Sequence, residues 1–139
     1  MKRKIITDVN FLKKKSEKAG FLESLKIIKD LEDTLKETKN GIGLSAVQIG
    51  ILKRVSIIRI GDFKLNLINT EITEKSDTIK FPGESCLSLP GLLIDTRRYN
   101  YIRLNNGKLY KGLVAVCISH EIDHWNGLTI LQRKWKKQK

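Results

Sequence analysis

The chain contains two histidines, and both fall in the stretch His120-Glu121-Ile122-Asp123-His124. On a helix, residues four apart lie on one face, so two imidazoles at this spacing can grip a single divalent cation. Glu121 is rotated about 100° from His120. That is too far round for it to join easily as a ligand, but it is within reach of a water held at such a cation. The pattern alone leaves two readings open, a metal-dependent hydrolase or a pair of ordinary core or surface histidines. A third ligand separates them.

Residues 125–139, WNGLTILQRKWKKQK, contain no His, Cys, Asp or Glu, so the third ligand must come from upstream. Cys117 shares the helix face but precedes His124 by seven residues, roughly 10 Å along the axis. Ligand bonds of about 2.0–2.3 Å cannot bridge that distance together with both histidines. Cys117 is therefore expected as a small apolar group lining the site. Cys86 remains, in FPGESCLSLPG, bracketed by Pro82-Gly83 and Pro90-Gly91. Turn residues on both sides can hold a thiolate on a rigid arm. A Cys-His-His set with one open position is a catalytic arrangement rather than a closed structural one.

These residues need a helix and a framework of strands to position them. Residues 21–39 place Leu22, Leu25, Ile28, Leu31 and Leu35 at three- and four-residue steps, which predicts one apolar helix stripe ended by Asn40-Gly41. Residues 51–69 are rich in β-branched side chains and broken at Gly61-Asp62, which predicts a hairpin. Segments 71–81 and 93–111 also read as strands, with Asn105-Asn106-Gly107 as a turn, and a second helix is expected from about Gly112 to Trp125. The order predicts an α+β domain of antiparallel strands between two helices, spanning residues 1–139. Gly41-Ile42-Gly43 reads on its own as a helix C-cap and turn, because the third glycine and the preceding strand of a dinucleotide fingerprint are missing.

Composition sets the outer limits. The 139 residues are 40% hydrophobic and 30% charged, and the longest unbroken apolar run is Leu113–Ile118, too short for a membrane span. The start MKRKIITDVNFLKKK lacks the apolar core of a signal peptide. A cytoplasmic protein is expected, with Cys86 and Cys117 as free or metal-bound thiols. The charge is +12, with 27 Lys+Arg against 15 Asp+Glu concentrated at the ends, including 133–139. Such termini serve either solubility or weak contact with a polyanion such as ribosomal RNA.

Three segments, GIGLSAVQIG (41–50), ESCLSLP (84–90) and HEIDHWNG (120–127), resemble in order and spacing the signature motifs of peptide deformylases. The similarity runs from about residue 5 to residue 130. The chain stops soon after the third motif, as in short phage-encoded members that lack the long C-terminal helix.

The resemblance implies antiparallel sheets wrapped around a central helix carrying H-E-x-x-H, with an N-terminal amphipathic helix. It implies hydrolysis of the formyl group from N-formylmethionyl nascent peptides in a bacterial cytosol or a phage-infected one. Cys86, His120 and His124 would hold one divalent metal, natively Fe²⁺, with Zn²⁺, Ni²⁺ or Co²⁺ able to replace it. Metal-activated hydroxide would attack, Glu121 would act as general base and acid, and Gln48 and the Leu87 N–H would stabilise the oxyanion. Ile42, Gly43, Glu84, Ser85 and Cys117 would contact the substrate. A monomer is expected. The chain departs from the usual pattern at Ser45 (commonly Ala), Ser85 (usually Gly), Leu93 (Arg in many bacterial members) and Trp125 (more often Leu). Asp123 is expected to steady its helix through Arg98 or Arg97.

Overall fold

In the computed structural model, which describes residues 1–137, the chain forms three α-helices and eight strands among the described residues. The helices are α1 (Val9–Leu12), α2 (Phe21–Leu35) and α3 (Gly112–Trp125). The strands are β1 (Gly43–Ser45), β2 (Val55–Ile60), β3 (Phe63–Ile68), β4 (Ile72–Lys75), β5 (Thr78–Glu84), β6 (Ile94–Tyr99), β7 (Tyr101–Leu104) and β8 (Leu109–Lys111). They make three antiparallel sheets, ordered β1-β2-β3, β4-β7-β8 and β5-β6. This is the expected α+β arrangement.

Burial on α3 runs almost unbroken from Ala115 to Trp125, the pattern of a helix inside a core rather than on its surface. It touches strands of all three sheets. One apolar cluster joins α2 to β1 and β2 through Ile28, Leu31, Leu44 and Ile57. A second joins α3 to β2, β3 and β7 through Ile118, Ile58, Leu67 and Ile102. The buried polar side chains of α3 are Ser119, Glu121, Asp123 and His124.

The α2 stripe differs from the expected one. Ile28, Leu31 and Leu35 are buried, but Leu22 is 79% and Leu25 50% exposed, and the inward face instead carries Ser24, Ile27, Asp30 and Thr34. The reason is the segment packed beside the helix: Arg3 pairs with buried Asp30 at 3.1 Å, and its main-chain N–H donates to Thr34 Oγ1. A polar pair thereby rotates the face that periodicity assigns to leucine. The helix also ends at Leu35 rather than 39, where Thr38 Oγ1–H caps the Leu35 carbonyl at 2.6 Å.

The predicted hairpin is present, with Ile60 opposite Phe63 and Gly61 at φ +57° in the two-residue turn. Segment 71–81 is two strands rather than one. At Ser76 the chain leaves the β4 sheet for the β5 sheet, and the Ser76 hydroxyl accepts the N–H groups of Asn100 and Tyr101, where β6 gives way to β7. Both sheet changes thus share one corner.

Candidate metal centre

The last strand residue of β5, Glu84, leads into a turn in which the Leu89 N–H bonds back to the Cys86 carbonyl at 2.9 Å. This turn brings the Cys86 thiol against the inward face of α3, 3.5 Å from His124 Nε2. One ligand atom from each of Cys86, His120 and His124 lies within 4.8 Å of the others. The His120 and His124 rings stand nearly edge to face, with centroids 5.0 Å apart.

The donor set fits a divalent cation, and its electrostatics show why. His124 is fully buried, and burial, with His120 and Arg98 nearby, pushes its pKa well below the ordinary value, which suits a group that could ligate a cation in its neutral form. Its Nδ1 has no hydrogen-bond partner among the described residues, and its Nε2 faces the Cys86 thiol. His120 is the opposite case. Burial works to discharge it, but Glu121, Cys86 and Glu84 together outweigh that and hold its pKa well above 6.5. The pocket therefore carries surplus negative charge that a proton on His120 takes up without metal and that a cation is suited to balance.

A chain of alternating charges fixes His120 from behind. Burial disfavours the Glu84 carboxylate, but hydrogen bonds and charge from His120 and Arg98 prevail and bring its pKa down to about 2. An ionised Glu84 can only accept, so His120 Nδ1–H donates to it at 2.6 Å and leaves Nε2 for the cation. Arg98 binds Glu84 through Nε at 2.8 Å and Nη2 at 2.6 Å, and Thr96 Oγ1–H adds a third contact at 2.7 Å. Arg98 Nη1 reaches Asp123 at 2.7 Å, and Arg133 grips Asp123 through Nε and Nη2 at 2.9 and 2.8 Å.

The Asp123–Arg98 pairing follows the sequence expectation, while Arg97 instead stacks on Trp135 at 5.6 Å. Glu84 lines the same cleft as Ser85, while its carboxylate is held by His120, Arg98 and Thr96. Arg133 was not visible from sequence. It is set by a 3₁₀ turn, Ile130–Arg133, capped by the Thr129 hydroxyl, and that geometry leaves no spacing signature.

The open side of the centre is a cleft of about 670 Å³ lined by Gly43, Ser85, Leu87, Cys117, His120 and Glu121, among others. Ile42 and Leu93 stand on its rim, 40% and 71% exposed. Glu121 is 3% exposed, and burial pushes its pKa up against the opposing pull of His120 and Ser45. The Gln48 side-chain carbonyl accepts the Ser45 N–H at 2.9 Å, which aims its amide Nε2–H at Ser88 Oγ (3.0 Å) and Cys86 Sγ (3.6 Å). The Leu87 main-chain N–H donates to no other group among the described residues. The Cys117 thiol is pushed up to about 12 by burial, with Glu121 and Glu84 adding to the effect, and it remains a protonated lining group.

The family model for polypeptide deformylases matches residues 3–139. A peptide deformylase of Clostridium botulinum is 41% identical over 119 residues, covering 80% of this chain and 80% of its own length. One from Brachyspira hyodysenteriae is 36% identical over 146 residues, covering 92% and 78%. The crystal structure of a deformylase from a Vibrio parahaemolyticus bacteriophage, in complex with actinonin, superposes with a TM-score of 0.81 at 33% identity, covering 92% of this chain and 99% of that one. With its sequence matched almost end to end and its fold shared, the chain belongs to the polypeptide deformylase family, hydrolases that remove the formyl group from N-formylmethionyl peptides.

Proposed function

We propose that the chain deformylates nascent peptides with Cys86, His120 and His124 holding one divalent metal, Fe²⁺ as the native ion, and with Glu121 moving the proton. The observation that carries this reading is the close approach of the three ligand atoms beside the buried Glu121 carboxylate, at the floor of the apolar cleft. A bound divalent ion supplies Lewis acidity there, polarising the formyl oxygen and lowering the pKa of water toward about 7.

The remaining work falls to the protein. The substrate main chain lies along the open edge of β1 at Ile42 and Gly43, adding a strand to a sheet whose other neighbour is β2. Ser85 faces it from the opposite wall, and the methionine side chain enters beside Cys117 and Val116. Glu121 takes a proton from the attacking water and returns it to the departing amine nitrogen. As the formyl carbon becomes tetrahedral, its oxygen meets two aimed donors, the Gln48 amide and the Leu87 N–H; losing one such donor costs about 10²–10³ in rate. A raised pKa suits Glu121 to both halves of this task, since it can hold the proton between attack and release.

The test is formate release from a formyl-Met-Ala-Ser peptide, with protein loaded anaerobically with Fe²⁺ or with Ni²⁺, beside a Glu121→Ala variant. Rapid release that is lost in the variant, with metal content retained, is the expected result. No release from folded, metal-loaded wild-type protein, or cleavage of an internal peptide bond instead, would refute the reading.

A further inference from the structure

Two of the positions where the chain departs from the deformylase pattern, Ser45 and Trp125, meet inside the protein through Ser56. The Trp125 indole Nε1–H donates to Ser56 Oγ at 2.8 Å. Ser56 Oγ lies 2.5 Å from Ser45 Oγ, which in turn lies 2.8 Å from Glu121 Oε1. All four side chains are buried, with Ser45 and Ser56 at 0%, Trp125 at 2% and Glu121 at 3% exposure.

The chemistry of the ends sets the direction of this chain. An indole N–H can only donate, and an ionised carboxylate can only accept. Ser56 Oγ accepts from Trp125 and passes its own hydrogen to Ser45 Oγ, whose hydrogen goes to Glu121. Ser45 Oγ also lies 3.1 Å from the Glu121 main-chain carbonyl. The carboxylate oxygen is nearer and charged, so it takes the hydrogen. Were the hydroxyls reversed, two oxygen atoms would face each other at Glu121 with no proton between them.

The other carboxylate oxygen has a different environment. A Cβ built on Gly43 would sit 2.5 Å from Glu121 Oε2, so this oxygen rests against β1 at the edge that opens on the cleft. Rotation about the last side-chain torsion of a glutamate is broad and roughly two-fold. One firm hydrogen bond to one oxygen is enough to select an orientation.

We propose that Trp125, Ser56 and Ser45 form a one-way hydrogen-bond relay that anchors Glu121 through Oε1 and leaves Oε2 as the oxygen that takes and returns the proton. Ser45 is then a positioning residue for the base, and Trp125 acts on the same carboxylate through two hydroxyls. The inference rests on the role proposed above for Glu121. It gives joint meaning to two substitutions that look unrelated in sequence, since they lie eighty residues apart.

The experiment compares Ser45→Ala, Trp125→Phe and the double variant, each loaded with Ni²⁺. Ser45→Ala lowers kcat roughly tenfold, part of the 10²–10⁴ that a positioned base contributes, with KM and metal content unchanged. Trp125→Phe gives a smaller loss of the same kind, and the double variant is no worse than Ser45→Ala alone, because the relay is already cut. A second readout is the Glu121 carboxylate stretch in the infrared spectrum of metal-free, ¹³C-glutamate-labelled protein at pH 8, isolated by subtracting the Glu121→Gln spectrum. It shifts in both single variants. Losses in kcat that multiply in the double variant, or a stretch that neither substitution moves, overturn the relay. Should Trp125→Phe fail to fold, Ser56→Ala cuts the same link with a smaller change in volume. Absence of formate release from the wild type would count against the proposed function, while the infrared shift would still decide the relay.

Discussion

Replacing Glu84 with glutamine in the metal-free protein removes the one strongly depressed carboxylate among the buried groups around the centre. Its folded pKa of about 2 against an ordinary value of 4.5 is a gap of some two and a half pH units, each about 1.4 kcal/mol, or about 3 kcal/mol of stability in all. The sign follows from the depression. The contribution is fully present above pH 4.5 and is lost as pH falls from 4.5 toward 2. His120, held protonated well above 6.5, is charged in both folded and unfolded chains across that window and contributes no slope. His124, held neutral when folded, destabilises the protein as pH falls below 6.5. Glu121, raised above 4.5, works the other way. Comparing wild type with Glu84→Gln cancels these shared slopes to first order. The assay is urea unfolding at 25 °C in half-unit steps from pH 6 to pH 2. Glu84→Gln is expected to be about 3 kcal/mol less stable at pH 6, with the two curves converging near pH 2. Curves that run parallel over the whole range would refute the assignment of the buried charge to Glu84.

Two further perturbations test the same centre from its other sides. In Gly43→Ala the new Cβ meets Glu121 Oε2 at 2.5 Å and the Ile57 carbonyl at 3.3 Å; kcat should fall roughly 10²-fold, as for a base displaced by about 1 Å, with metal content unchanged, and a wild-type rate would show that Oε2 has room to spare. In Arg133→Ala the carboxylates of Glu84 and Asp123 are left to share Arg98 alone; metal release to a chelator should quicken roughly tenfold, whereas Arg97→Ala, which removes a cation stacked on Trp135, should release metal at the wild-type rate, and equal release from both variants would dismiss the ion-pair chain.

How much of this was legible in the sequence depended on whether a feature repeats along the chain or closes through space. The hairpin at Gly61-Asp62 and helix α3 were readable because period and punctuation are local. The reach of Cys86 toward the two histidines followed from counting ligands and measuring helix rise. The α2 stripe misled because Asp30 and Thr34 count as polar in any pattern, yet a neighbouring segment supplies partners that let them be buried in place of Leu22 and Leu25. The hold on the Glu84 carboxylate was not legible, because Arg98 stands fourteen residues on, on the paired strand β6, and only the fold brings the two together. Arg133 and Ser56 gave no signal at all, since their meaning lies wholly in contacts made across the fold.

The placement of polar groups also explains how the fold tolerates so many buried titratable residues. Glu84, Arg98, Glu121, Asp123 and His124 are each at most 6% exposed, and an isolated buried charge costs several kcal/mol. Here the buried polar groups fall into two hydrogen-bonded sets. On one side, Glu84 and Asp123 alternate with Arg98 and Arg133, two carboxylates against two guanidiniums, so that the set is neutral as a whole. On the other, Glu121 accepts from the Ser45 hydroxyl, and burial keeps its pKa raised against the opposing pull of His120. Glu84 is thus held as an anion behind His120 down to a pH of about 2, while Glu121 is biased toward its protonated form. Ile57 faces one apolar cluster and Ile58 the other along the same strand. The alternation of β2 therefore does more than fill space. It ties the two clusters together through one strand, and a register slip of one residue would exchange the two faces and disrupt both.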